Sequence, residues 1–258
     1  LYVISYSGFL MFRKSRIKLI VLFIFIVNIP AGIFSQGVTA THTGYGFSVI
    51  PHVSFISSST LQLYALSNDA FQRSQAEEIS GGYGYGLSIR KNLFTEDLTF
   101  GISIENINIK DDALTQTFSN DSLTVRARVT EELSVIPVEF TGYFSLPQFA
   151  DNLEIYLGGG IGVYFGDRVR TILNLQSKTI SKKPGYSLVI LSGMAYKFTK
   201  QFSGIFELKF REAEYTVKSE YSVSEIKING NYYDLPQELY SSIFVDGLKV
   251  SLGISYNF

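Results

Sequence analysis

Several stretches of this chain alternate apolar and polar side chains with a period of two, and their charges keep to one phase. In Leu153 to Phe165 one phase reads Leu153, Ile155, Leu157, Gly159, Ile161, Val163, Phe165, and the other holds Glu154, Tyr156, Tyr164 and three glycines. Leu248 to Phe258 repeats the pattern, with Lys249 on the polar phase. Successive side chains of a strand point to opposite faces, so a period of two marks a β-strand with unlike sides. Six further segments qualify: 45–55, 82–90, 98–105, 136–144, 188–198 and 202–211, making eight strands. The pattern is weakest in 188–198, where Val189 and Leu191 occupy the polar phase. The charges are Arg90, Glu105, Glu139, Glu154, Lys197, Glu207, Lys209, Arg211 and Lys249, all on the phase opposite the aliphatic one.

The connections alternate too. Segments 56–81, 106–135, 166–187 and 212–246 are long, whereas 91–97, 145–152 and 199–201 are short. An up-and-down antiparallel sheet has this form when one end closes by turns and the other by loops, as outer-membrane barrels do. Phe94, Phe144, Phe149, Phe198, Phe202 and Phe258 all fall near the short-turn end, where a membrane interface favours rings. A bilayer admits only backbones whose polar groups are paired internally, so a sheet must close to cross it. A Lys or Arg facing lipid at mid-depth costs about 2–4 kcal/mol, which confines charges to the inside. Gly82, Gly84, Gly86, Gly101, Gly158, Gly160, Gly162, Gly193 and Gly253 share the charged phase, as a narrow interior would require. The expected fold is all-β: an eight-stranded antiparallel up-and-down transmembrane β-barrel.

The ends of the chain fit export. Arg13, Lys14, Arg16 and Lys18 precede an apolar run from Leu19 to Val27, then Pro30 and small residues. This is the order of a secretory signal peptide. The expected organisation is a signal peptide over 1–35, its start possible at Met11, and a barrel over 36–258. The 22 Lys plus Arg balance 23 Asp plus Glu, which argues against a nucleic-acid partner. The chain has no cysteine and only two histidines, His42 and His52, so neither disulfides nor zinc–cysteine sites arise.

The final residues, Ser251-Leu-Gly-Ile-Ser-Tyr-Asn-Phe258, resemble the signal that the barrel-assembly machinery reads on outer-membrane proteins. Gly253, Tyr256 and Phe258 are the positions that match it. Tyr156-Leu-Gly-Gly-Gly-Ile-Gly-Val-Tyr164 and Ile136-Pro-Val-Glu-Phe140 are similar to the small OmpA- and OmpX-like outer-membrane barrel domains, a likeness that extends over roughly 40–258. The resemblance implies residence in the outer membrane of a Gram-negative bacterium. It also implies contact with outer-membrane lipids and with the assembly machinery during insertion. It does not imply one activity.

Catalytic signals are sparse. His52 and Ser54 point the same way, and a His-x-Ser pair in a barrel strand resembles in part the lipid A deacylase barrels, yet that family's flanking residues are missing. No dinucleotide or phosphate-binding glycine motif occurs, and no cofactor or metal is expected. Eight strands leave an interior just wide enough for side chains, so the nine charges are expected to pair and plug it. The expected function is non-catalytic, structural or surface-interacting, acting through the long connections and a possible surface ligand. A deacylase-like enzyme, a narrow channel and a component of an envelope complex remain as alternatives.

Overall fold

The computed structural model describes residues 46–92, 97–120, 123–147 and 150–258. The expected signal segment 1–35, His42, Phe94 and Phe149 lie outside the described residues. The strands are β1 Phe47–Gln62, β2 Glu77–Asn92, β3 Leu98–Ser119, β4 Thr124–Ser145, β5 Leu153–Ile172, β6 Leu175–Gln176 and β7 Lys178–Lys197. They continue with β8 Phe202–Arg211, β9 Ala213–Glu220, β10 Glu225–Ile228, β11 Asn231–Asp234, β12 Glu238–Val245 and β13 Lys249–Asn257. Among the described residues one five-residue helix, α1 (Ala70–Ser74), sits in the first long connection, N-capped by Asp69 Oδ1 accepting from the Phe71 N–H.

All pairings in the main sheet are antiparallel, and β1 bonds both to β2 and to β13, which closes the sheet into a ring. β8 with β9, and β12 with β13, are each one strand interrupted at Glu212 and at Asp246–Leu248. β9 pairs with β12 as β8 pairs with β13. The ring therefore has eight staves, and closure leaves no free edge.

The long connections continue the barrel walls. Segments 56–81, 106–135, 166–187 and 212–246 are largely strand: β3 and β4 stay paired up to Ser119↔Thr124. Most of their exposed Ser, Thr, Asn and charged residues occupy the water-facing side of barrel walls that continue past the apolar belt. The inward phase runs on unbroken: Glu139, Val135, Leu133, Glu131 and Val129 all face inside on β4. What changes is chemistry. Within the belt the outward side chains are aliphatic or aromatic and exposed, as with Ile102, Ile104, Ile136, Val138, Phe140, Leu252 and Ile254. Beyond it the outward residues are mostly polar and the inward ones mostly apolar, with Glu131, Arg168 and Arg170 as inward charges. The surroundings explain the inversion: against lipid the greasy face must look out, and against water it must look in. On β4 the belt spans Ile136 to Phe144, about 20 Å at 3.3 Å per residue and a tilt near 40°.

The interior is layered. At the short-turn end Ile50, Tyr143, Tyr156, Leu191, Ala195 and Ile205 pack together. A charged layer follows, then an aliphatic one centred on Ile56, Ile107, Leu133, Val135, Val217 and Ile243. A third apolar cluster closes the long-hairpin end. There the β10–β11 hairpin turns Ile226, Ile228 and Tyr233 inward, with Tyr233 edge-on to Phe118 at 6.4 Å. Its turn is Asn229-Gly230, both at positive φ, the conformation that two-residue hairpins require.

Rings gather at the short-turn end. Phe47 lies 5.3 Å from Phe258, Tyr256 5.7 Å from Phe258, and Phe202 5.2 Å from Tyr256. Phe144 and Phe198 are also exposed there. At the other border of the belt Phe55 contacts Tyr83 at 5.3 Å, and Phe165 and Tyr186 are exposed.

Candidate functional site

Seven of the nine charges on the polar phase converge in one buried layer inside the belt. Alternation sends Arg90 (β2), Glu105 (β3), Glu139 (β4), Glu207, Lys209 and Arg211 (β8), and Lys249 (β13) to the axis. Arg90 Nη2 donates to Glu207 Oε1 at 2.6 Å, and Tyr156 Oη donates to the same oxygen at 2.8 Å. The Arg90 guanidinium also stacks 4.1 Å above the Tyr143 ring. Glu139 accepts from Lys209, from Arg211 at 3.2 Å and from Tyr164 Oη at 2.6 Å. Glu105 accepts from Lys249 and from Ser54 Oγ. The other two, Glu154 and Lys197, stand at the short-turn end, half-exposed and 3.4 Å apart, with Ser145 Oγ donating to Glu154 at 2.6 Å. Gly253 lies on the inner wall opposite His52, whereas Tyr256 and Phe258 are exposed in the aromatic girdle.

Small residues make this layer fit. A Cβ on Gly84 would lie 2.7 Å from both Glu105 Oε1 and Ser54 Oγ, and one on Gly193 would lie 2.5 Å from the Tyr156 ring. Charges, rings and backbone thus fill the bore.

The same crowding bears on catalysis. His52 and Ser54 both point inward toward Glu105, but the Ser54 hydroxyl donates to the carboxylate, and His52 Nε2 sits 4.0 Å from it. The Glu105 carboxylate that receives this bond is also held by Lys249, and Ser54 is buried. A nucleophile needs room for substrate beside it, and this pair has none.

A second charged cluster, outside the belt, escapes the strand-by-strand reading because it lies in segments that look like loops. Arg168 donates to Glu131 in two-pronged fashion, Nε to Oε2 and Nη2 to Oε1, both at 2.9 Å, while its Nη1 donates to Ser241 Oγ at 2.7 Å. Arg170 also donates to Glu131, and to Gln116 Oε1 at 2.9 Å. Both arginines and Glu131 are fully buried. The signal that finds them is the phase: Arg168 and Arg170 continue the Tyr156–Tyr164 face of β5, and Glu131 continues the Glu139 face of β4. Just after β9, burial pushes the Tyr221 phenol up to about 12, so it keeps its proton.

On the outside of the same collar, charge is divided by side. The β4–β7 side presents Arg126, Arg128, Lys178, Lys182 and Lys183, with Asp167 bound to Lys182 at 2.5 Å. The β9–β12 side presents Glu214, Glu220 and Glu238, with Lys218 bound to Glu238 at 2.8 Å.

No protein-family model matches the chain, and sequence comparison with curated proteins finds no match. Solved structures do match in fold. The outer membrane protein OprG from Pseudomonas aeruginosa aligns at a TM-score of 0.56 with 10% identity, over 83% of this chain and 97% of that one. The outer membrane protease OmpT from Escherichia coli aligns at 0.47 with 7% identity over 85% and 99%. Neisserial surface protein A aligns at 0.44 with 11% identity over 83% and 97%. The closed ring, its inverted belt and its likeness to OprG give this chain the fold of a small outer-membrane β-barrel.

Proposed function

We propose that this chain is a non-catalytic outer-membrane β-barrel of a Gram-negative bacterium, with a plugged bore, that works through the collar its long hairpins raise beyond the membrane. One observation carries the reading: the bore is closed at every level. The ion-pair layer around Glu139, Glu105 and Glu207 fills the belt, aliphatic side chains fill the level above it, and the β10–β11 hairpin covers the end. Near-balance of sign favours internal pairing over a selectivity ring, because an isolated charge buried in the bore would be prohibitive. Surface contact is then left to the collar, whose basic β4–β7 side and acidic β9–β12 side give it an oriented field for charged partners.

Tyr256 and Phe258 at the exposed girdle, with Gly253 inside, suit the proposed assembly signal. The lipid-facing belt suits outer-membrane lipids as partner. Planar-bilayer recording of the folded protein tests the plug. The expected result is no stable conductance; reproducible single-channel steps would favour the narrow-channel reading instead.

A further inference from the structure

We propose that the long-hairpin end contains a binding subsite for a small aliphatic carboxylate, built on Arg170 and Tyr221. Three observations converge there. The first is charge. The fully buried groups of this end are Arg168, Arg170 and Glu131, two guanidiniums against one carboxylate. A further acid, Glu77, is about one-third exposed, lies 3.7 Å from Arg170 Nη1 and makes no hydrogen bond through its nearer oxygen. Arg170 therefore shares Glu131 with Arg168, and its second counter-charge is the more distant Glu77 at the rim, although burial makes close neutralisation valuable.

The second is an unpartnered donor. Tyr221 is 5% exposed, and its hydroxyl finds no hydrogen-bond partner in the protein. A buried polar group left unmatched is costly, so its retention calls for a reason. The third is shape. Arg170 and Tyr221 line one crevice whose walls are Leu63, Ile172, Leu235 and Leu239. A guanidinium and a phenol among aliphatic walls match a carboxylate on a short hydrocarbon chain. The carboxylate would take a charge-assisted bond from Arg170 and the Tyr221 O–H, and its chain would lie against the leucines. The crevice is closed to a water-sized sphere, so the ligand must be small and must displace the half-buried Tyr64 and Gln116, which also border it. Glu77 then acts as an internal competitor that leaves Arg170 when the ligand arrives.

The test is saturation-transfer NMR of butyrate against the full folded barrel in nanodiscs of zwitterionic lipid, with empty nanodiscs subtracted. Saturable binding is expected, with butyramide at least about tenfold weaker because a bond to a charged group is lost. Tyr221→Phe removes only the unpartnered hydroxyl and should fold normally, shown by an unchanged mobility shift on unboiled gels; it should weaken butyrate about tenfold. Glu77→Gln removes the competitor and should tighten butyrate about two- to fivefold, the range of a partly exposed ion pair. These opposite signs are what a purely structural role for either residue would not produce. Absence of saturable butyrate binding, equal binding of butyramide, or a Kd unmoved by both substitutions would overturn the proposal.

Discussion

Glu139 is the keystone of the charged layer, and its replacement by Gln is the sharpest perturbation available. Its carboxylate accepts from Tyr164 Oη on the neighbouring β5 and, across the bore, from Lys209 and Arg211 on β8. The layer holds four cations (Arg90, Lys209, Arg211, Lys249) against three anions (Glu105, Glu139, Glu207). Glu139→Gln keeps the volume and one acceptor oxygen but leaves two buried cations without their closest counter-charge. Removing one partner from a buried ion pair costs about 3–5 kcal/mol, and the retained amide oxygen places the expected loss toward the lower figure. With a urea dependence of roughly 2 kcal/mol per molar, the unfolding midpoint should fall by about 1.5–2 M. The assay is urea unfolding in lipid vesicles, read by the gel-mobility difference between folded and unfolded barrel. Adding Lys209→Met should restore part of the loss, since the double variant no longer carries the stranded ammonium. A loss below about 1 kcal/mol for Glu139→Gln, or further destabilisation by Lys209→Met, would refute the view that these charges are matched to one another.

Two further outcomes follow from the belt and the collar. Ile104→Arg, in the exposed aliphatic belt, should cost about 2–4 kcal/mol in vesicles, whereas Asn108→Arg, four residues on along the same outward face of β3, should change stability by less than about 0.5 kcal/mol; equal costs in the same urea assay would remove the membrane boundary from between them. Asp111 accepts from Ser80 N at 2.9 Å, Ser80 Oγ at 2.7 Å and Ala113 N at 3.0 Å. Burial pushes this carboxyl up, but those bonds together hold it below the usual Asp value. A depressed folded value stabilises the collar above the unfolded pKa of about 3.9, and that contribution is lost as pH falls through the lower folded value. Hydrogen exchange of β2 and β3 amides, corrected for intrinsic rates, should therefore accelerate below about pH 4 in the wild type but not in Asp111→Asn.

The alternation made the eight staves and their inward phase legible, because inside the belt lipid and bore impose opposite chemistry on neighbouring residues. Even Val189 and Leu191, which break the pattern, prove to face inward, packed within the barrel where the bore is apolar. Outside the belt the phase persists but its polarity inverts, so a rule that expects charge inside reads β3 beyond Glu105 or β4 before Ile136 as loop. Arg168, Arg170 and Glu131 sit in that inverted region and are invisible to a search for charges opposite an aliphatic lipid face. Extending each phase through the long segments would have found them. The crevice beside Tyr221 was not legible at all, since it depends on the residue after β9, on β5 and on the segment after β11 meeting across the barrel.

The account turns on which way the belt faces. The chain has no tryptophan, so one introduced ring reports on its own position without background. Single substitutions Ile104→Trp, Val138→Trp and Leu252→Trp, with Lys110→Trp as a water-facing control, would be placed in vesicles whose acyl chains carry bromine. Strong quenching of the first three and none of the control is the predicted result; unquenched fluorescence at Ile104, Val138 and Leu252 would contradict a barrel that shows its aliphatic face to lipid.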